Sequence, residues 1–139
     1  KELNFEIAFS QHSSPIHISN NKLKLARFSL NDEYGKLKRF KEIVNSKPLI
    51  LEDFRITEKN LDKGFVKIKF KSNVPENQIN CFINGGANLE LISEGNNSKL
   101  KIYNLKNQRY RLNCTYISNI QKLFWFGKMI IKTNDSIYF

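Results

Sequence analysis

The side chains in this chain best suited to chemistry are few: two histidines and two cysteines. Both histidines lie in one short stretch, "SQHSSPIHIS" at 10–19, with His12 and His17 five residues apart around serines and a proline. Imidazole is both a common metal ligand and the usual proton carrier near neutral pH. The stretch therefore raises the question of half a metal site. Such a site needs further donors, and the nearest carboxylates along the chain are Glu6 and Asp32. Cys81 and Cys114 are too few for a structural zinc centre by themselves. They read as one disulfide or as two small buried thiols. Nucleophilic catalysis would have to pair Cys114 with His12 or His17, and Cys114 falls on a core-facing position. The chain has neither a G-x-S-x-G elbow nor a Gly-rich phosphate loop.

The elements that would carry these residues fall into two regions. In the first, Leu3, Phe5, Ile7 and Phe9 alternate with mostly polar neighbours and predict a strand. A loop with the two histidines follows, and "KLKLARFSL" predicts a second strand through Leu23 and Leu25. "NDEYGKLKRFKEIVNSKP" predicts a helix. Asn31 or Asp32 would cap it, Leu37, Phe40, Ile43 and Val44 recur at helical spacing, and Pro48 marks the stop. From about Leu51 the period becomes two. "FVKIKFK" sets Val66, Ile68 and Phe70 against Lys67, Lys69 and Lys71, "QINCFIN" repeats the pattern with Cys81, and "NGG" (84–86) turns the chain. "NLELIS", "KLKIY", "RYRLNCTY" and "KLFWFGKMIIK" follow, separated by Asn- and Gly-rich turns. Six or seven short strands so spaced predict an antiparallel sandwich. Cys81 and Cys114 both sit on apolar strand faces, positions from which they would meet across the core.

Composition sets the outer bounds. The 139 residues suit one ordinary domain or one domain and a fragment, and 40% hydrophobic content supports a core. No run approaches the ~18 apolar residues of a membrane span, and no signal-peptide pattern opens the chain. It begins at Lys1, which reads as a processed product or an excised piece. Lys and Arg number 23 against 13 acidic residues, net +10, a balance that favours acidic partners. The plainer explanation is lysines alternating with core residues on solvated strand faces.

"FEIAFS" and "RFSLNDEYGKLKRFKEIVNSKPL" resemble the end of the catalytic barrel in bacterial polysaccharide deacetylases of the NodB-homology family. "CFINGG", "RYRLNCT" and "LFWFG" resemble a sandwich domain that follows the barrel in some of them. The resemblance implies an Ig-like antiparallel β-sandwich at 49–139, a mainly β fold. Before it would come a strand-loop-strand-helix remnant of the α/β barrel at 1–48. It implies a parent enzyme that removes N-acetyl or O-acetyl groups from sugars, with a divalent metal in the missing catalytic domain polarising the acyl oxygen and activating water. The family's metal motif reads H-S/T-x-x-H after a T-F-D-D-like segment, and a late L-x-H supplies the acid. This chain has neither T-F-D-D nor L-x-H, and "HSSPIH" is one residue too long. No catalytic or metal-binding residue carries over, so the chain alone is expected to be inactive. The expected partners are its own upstream catalytic domain and a polysaccharide, and the cell envelope or the exterior would be the compartment.

Under that resemblance, glycan contacts would come from aromatic platforms and from Arg and Asn at sugar hydroxyls. Trp125, Tyr110, Arg109 and Arg111 are the candidates, with Phe124 or Phe126 beside them. Each has a plain alternative: Trp125 lies in a near-continuous apolar strand and reads as core, and Arg111 reads as an outward strand residue. The competing class is a small basic β-domain for single-stranded nucleic acid or anionic glycan. Nucleic acid is disfavoured because the aromatics share the apolar rather than the basic strand face.

Overall fold

A computed structural model describes residues 4–32, 34–94 and 97–139. Two β-sheets dominate it. The back sheet has the order β2-β3-β6-β5, built from β2 (Leu51–Asn60), β3 (Phe65–Ser72), β5 (Asn88–Glu94) and β6 (Asn97–Tyr103). The front sheet runs β1-β8-β7-β4, with β1 (Lys47–Pro48), β4 (Asn80–Ile83), β7 (Arg109–Ile117) and β8 (Leu123–Lys132). A short β9 (Ile137–Tyr138) also pairs with β8.

The alternation read from the sequence places the core. In β3, Val66, Ile68 and Phe70 are fully buried while the lysines between them reach solvent, and β7 does the same with Tyr110, Leu112 and Cys114. Both sets join one cluster with Leu100, Ile102 and Ile130, so the two sheets share a single interior. Phe54 of β2 bridges the layers, its ring 5.2 Å from Phe126 and 5.3 Å from Phe139. Gly85 and Gly86 in the turn after β4 take φ of 86° and 79°, which "NGG" allows without strain. A side chain at Gly85 would also meet the Tyr110 ring at 2.9 Å.

Nine strands are present among the described residues, rather than six or seven. β2 escapes the alternation rule because its register shifts twice against β3 and Asp53 takes a positive φ of 52°, which scrambles the period of two. The sandwich is also not wholly antiparallel, since β1 runs parallel to β8, Lys47 opposite Phe124 and Pro48 opposite Trp125.

The two early strands do not form. Residues 8–10 and 22–25 lie side by side through a few backbone bonds and one parallel bridge, Phe9 to Leu25, and Lys22–Lys24 is a 3-10 turn (Leu3 lies outside the described residues). Parallel pairs persist when both faces are covered. Here Phe5, Ile7 and Phe9 are exposed, so nothing consolidates the pairing. The helix α1 is shorter than expected and spans Leu37–Asn45. Asn31 does accept a capping-type bond, from the Tyr34 amide at 2.8 Å, but the Gly35 amide then closes a turn onto the Asn31 carbonyl. The helix restarts after Gly35 with Lys36 as its unassisted cap. It ends as the sequence implies, with the Ser46 hydroxyl donating to the Ile43 carbonyl at 2.7 Å just before Pro48.

Cys81 and Cys114 form a disulfide. They meet within the front sheet as directly opposed residues of β4 and β7, not across the core between sheets. The bridge closes a separation of 33 residues, which in the chain-entropy account stabilises the fold by about 3–4 kcal/mol. Replacing both cysteines by serine should lower the denaturation free energy by about that amount. Denaturant titration of the two proteins, each with and without reductant, checks this: only the parent should respond to reductant.

Candidate functional site

The outer face of the front sheet is where the molecule has both depth and charge. Alternation in β7 sends Arg109, Arg111 and Asn113 to the side opposite the core. The register of β7 with β8 sets Gly127 beside Asn113 and Trp125 beside Thr115 on that same side. The segment 10–14 then crosses over β8. Ser13 lies so close to Gly127 that a Cβ there would meet the Ser13 carbonyl oxygen at 1.9 Å, so only glycine admits the crossing. The Ser14 hydroxyl donates to the Trp125 carbonyl at 3.3 Å, and Arg109 donates to the Gln11 side chain at 3.1 Å.

This crossing has a cleft on either side, and Gln11, His12 and Lys128 line both. The larger, about 610 Å³, contains both histidines, Lys24 and Arg109. Each imidazole engages a serine two residues away through Nδ1: His12 with Ser10, and His17 with Ser19 at 2.7 Å. Among the described residues no group of three or more His, Cys, Asp or Glu converges. The structure therefore brings the two histidines to one cleft, and among the described residues no third ligand joins them.

The smaller cleft, about 480 Å³, holds the richer chemistry. Arg27, Arg39, Arg111 and Lys128 line it, and among the described residues no carboxylate does. Arg39, from α1, lies with its guanidinium carbon 5.0 Å from the Tyr34 ring centre and 5.6 Å from that of Trp125, and its Nε is buried without a hydrogen-bond partner. Phe28 meets the Trp125 ring edge-on at 5.2 Å. Three asparagines complete the lining, and each has its amide oxygen engaged. Asn31 accepts from the Tyr34 amide, Asn84 from the Arg111 amide at 2.8 Å, and Asn113 from the Trp125 indole at 3.0 Å.

The sequence-predicted residues separate accordingly. Trp125 and Arg111 line this cleft, and Arg109 lines its neighbour. Trp125 is half-buried on the outer face, not in the core. Tyr110 is corrected: it is fully buried, and its hydroxyl accepts from the Lys106 amide at 2.5 Å and donates to the Lys106 carbonyl at 3.2 Å. A ligand cannot reach it. Phe126 packs against Phe54 and Phe124 against Tyr116, both on the core side. The cleft residues that sequence reading missed include Arg27, Arg39, Lys128, Tyr34 and Phe82, besides the three asparagines. Arg39 and Tyr34 come from the helix and turn, far along the chain from β7, and only folding brings them to it. Phe82 alone left a signal: in β4 it occupies the outward phase beside Cys81, and it is 52% exposed.

The electrostatics reflect the surplus of cations. Burial lowers the pKa of His12 below its ordinary 6.5, and nearby Lys128 lowers it further. Burial, then Lys24, lowers the pKa of Lys128. Compared with family models, with curated proteins and with solved structures, the chain matches none of them.

Two outcomes follow. Tyr110→Phe should cost about 1–2 kcal/mol of stability, because it removes the partner of a backbone amide and carbonyl, and should leave any ligand affinity unchanged. Denaturation and binding on the same variant separate the two. For His12 the folded chain resists a proton that the unfolded chain accepts. Its contribution to stability is therefore full above pH 6.5 and declines as the pH falls below that value. Melting curves from pH 8 to pH 5 should show a shallower acid-side loss for His12→Gln than for the parent.

Proposed function

We propose that this chain is the C-terminal accessory portion of a metal-dependent polysaccharide deacetylase, acting on N-acetyl or O-acetyl sugars, and that it contributes no catalytic residue itself. In this reading residues 1–48 are the tail of the catalytic barrel, whose last two residues, Lys47–Pro48, join the front sheet beside β8, and 49–139 form an Ig-like sandwich that supports the barrel and meets the glycan.

The observation that carries this reading is the contrast in burial along the chain. The sandwich closes its own core, whereas the first forty-odd residues leave large apolar side chains in solvent. Phe5 and Leu37 are each 67% exposed, Ile18 is 99% exposed, and Ile7 and Val44 are more than half exposed. The apolar stripe of α1 packs against little: Leu37, Phe40 and Val44 are all exposed. Exposed apolar surface on this scale marks an interaction surface, and the tail of a barrel has such a surface where the rest of the barrel covers it.

Strand order supports the sandwich half. β2-β3-β6-β5 and β4-β7-β8 reproduce the ABED and CFG sheets of a constant-type immunoglobulin sandwich. The Tyr110 hydroxyl bonded back to Lys106 matches the tyrosine corner of those domains. The disulfide departs from that pattern, since it joins neighbouring strands of one sheet. A disulfide is at home in an oxidising compartment, which fits a cell-envelope or secreted enzyme. The divalent metal belongs to the upstream domain.

In the source cells, an antibody to this chain should detect a polypeptide well above 16.3 kDa. That polypeptide should release acetate from an acetylated glycan in a chelator-sensitive manner, and the isolated chain should release none. A native band at 16.3 kDa, or metal-dependent deacetylation by the isolated chain, overturns the proposal.

A further inference from the structure

We infer that the cleft of about 480 Å³ between residues 11–31, Tyr34 and Arg39 on one side and strands β4, β7 and β8 on the other binds an acidic saccharide, a sugar unit carrying an oxyanion such as a carboxylate. The inference deepens the glycan-binding reading and rests on it for the sugar, though not for the anion.

Charge is the first argument. Arg27, Arg39, Arg111 and Lys128 surround one cavity, and none has a carboxylate within ion-pairing distance among the described residues. The ion pairs among the described residues lie on the back sheet: Glu58 with Lys67, Asp53 with Lys71 and Arg55, and Glu90 with Lys101. Cations brought together without a counter-charge repel one another, and a bound anion relieves that repulsion.

Pre-organisation is the second. The Arg39 guanidinium lies over the rings of Tyr34 and Trp125 and keeps a buried Nε–H without an acceptor among the described residues. Leaving such a donor unmet is costly. A guanidinium so placed keeps its N–H fork for an acceptor, and that fork matches an oxyanion.

Hydrogen-bond polarity is the third. Asn31, Asn84 and Asn113 all commit their amide oxygens to protein donors, which leaves their NH₂ groups as donors. The cleft thus presents donors to a ligand made largely of acceptors. Phe82 and Tyr34, both exposed at its rim, offer apolar surface to the C–H face of a sugar ring. The volume suits a small ligand of one or two rings. Nucleic acid fits less well: single-strand binders follow the backbone with a basic groove and a row of stacking rings, and here the basic residues converge on one pocket.

The test is calorimetric titration of this chain, at fixed ionic strength, with four probes: a glucuronate trisaccharide, its neutral methyl ester, inorganic phosphate and a ten-nucleotide oligothymidine. The trisaccharide should bind roughly 10- to 100-fold more tightly than the ester, the range expected from charge-assisted hydrogen bonds. Arg111→Gln, a substitution at an exposed site, should lose a similar factor with melting unchanged. Arg39→Gln should lose it too, and its melting is recorded beside the binding. Equal affinity for acid and ester would remove the anion from the proposal and leave a glycan module. Phosphate binding as tightly as the trisaccharide would remove the sugar. Tighter binding of the oligonucleotide, or an unaltered Arg111→Gln, would overturn the assignment. Deacetylase membership stands or falls separately, on the size and activity of the native polypeptide.

Discussion

The β7–β8 ladder is the constraint on which the rest depends. Its unbroken register runs from Arg109 opposite Ile131 to Ile117 opposite Leu123. One alternation along β7 sends Tyr110, Leu112 and Cys114 into the core and Arg109, Arg111 and Asn113 outward. The interior, the disulfide and the cleft floor are thus two sides of one strand. A slip of one residue would exchange them, burying two guanidinium groups and exposing the sulfur and two large apolar side chains. The cost of that exchange pins the register, and the register in turn places Trp125, Asn113 and Gly127 beneath the crossing chain.

The net charge has two distinct addresses. On the back sheet, Lys67 faces Lys101 and Lys69 faces Lys99 across β3 and β6. Directly opposed like charges destabilise a sheet. Glu58 on β2 and Glu90 on β5 lie beside Lys67 and Lys101 and offset them, at 2.6 and 3.3 Å. Such solvent-exposed pairs contribute little net stability, but they leave a solvated and balanced face. On the front sheet, the cations converge on a concave surface that no carboxylate lines among the described residues. The same composition is therefore a solvated coat on one side and a concentrated field on the other, and fields of that kind select ligands.

The first segment is attached to the sandwich mainly by polar contacts and by close backbone approach at Gly127. Most of its apolar side chains are unused by the sandwich. It behaves as a strap with two faces: one supplies Arg27, Tyr34 and Arg39 to the cleft, and the other leaves apolar side chains exposed. Under the proposed function, assembly with the barrel would hold the strap in place and so shape the cleft. Glycan binding and catalysis would then share a structural element without sharing a residue.

Much of this was written into local pattern. Val66-Ile68-Phe70 and Tyr110-Leu112-Cys114 disclose buried faces, because a strand places alternate residues on opposite sides and hydrophobic burial rewards that period. Asn84-Gly85-Gly86 discloses a turn, because glycine tolerates positive φ. The helix around Phe40 and its stop at Ser46-Pro48 were legible for similarly local reasons. What the sequence could not determine was anything requiring a partner distant along the chain. The first strands read correctly as alternating segments, yet a strand exists only where a neighbour pairs with it and its faces are covered. β2 was hidden because bulges break the period. Tyr110 and Trp125 are both aromatic residues of strands, and only the packing of two sheets decided that one is sealed in the core while the other lies outside beneath Arg39. The cleft itself is a tertiary object: its arginines come from a coil, a helix and a strand, and charge acts through space rather than along the chain.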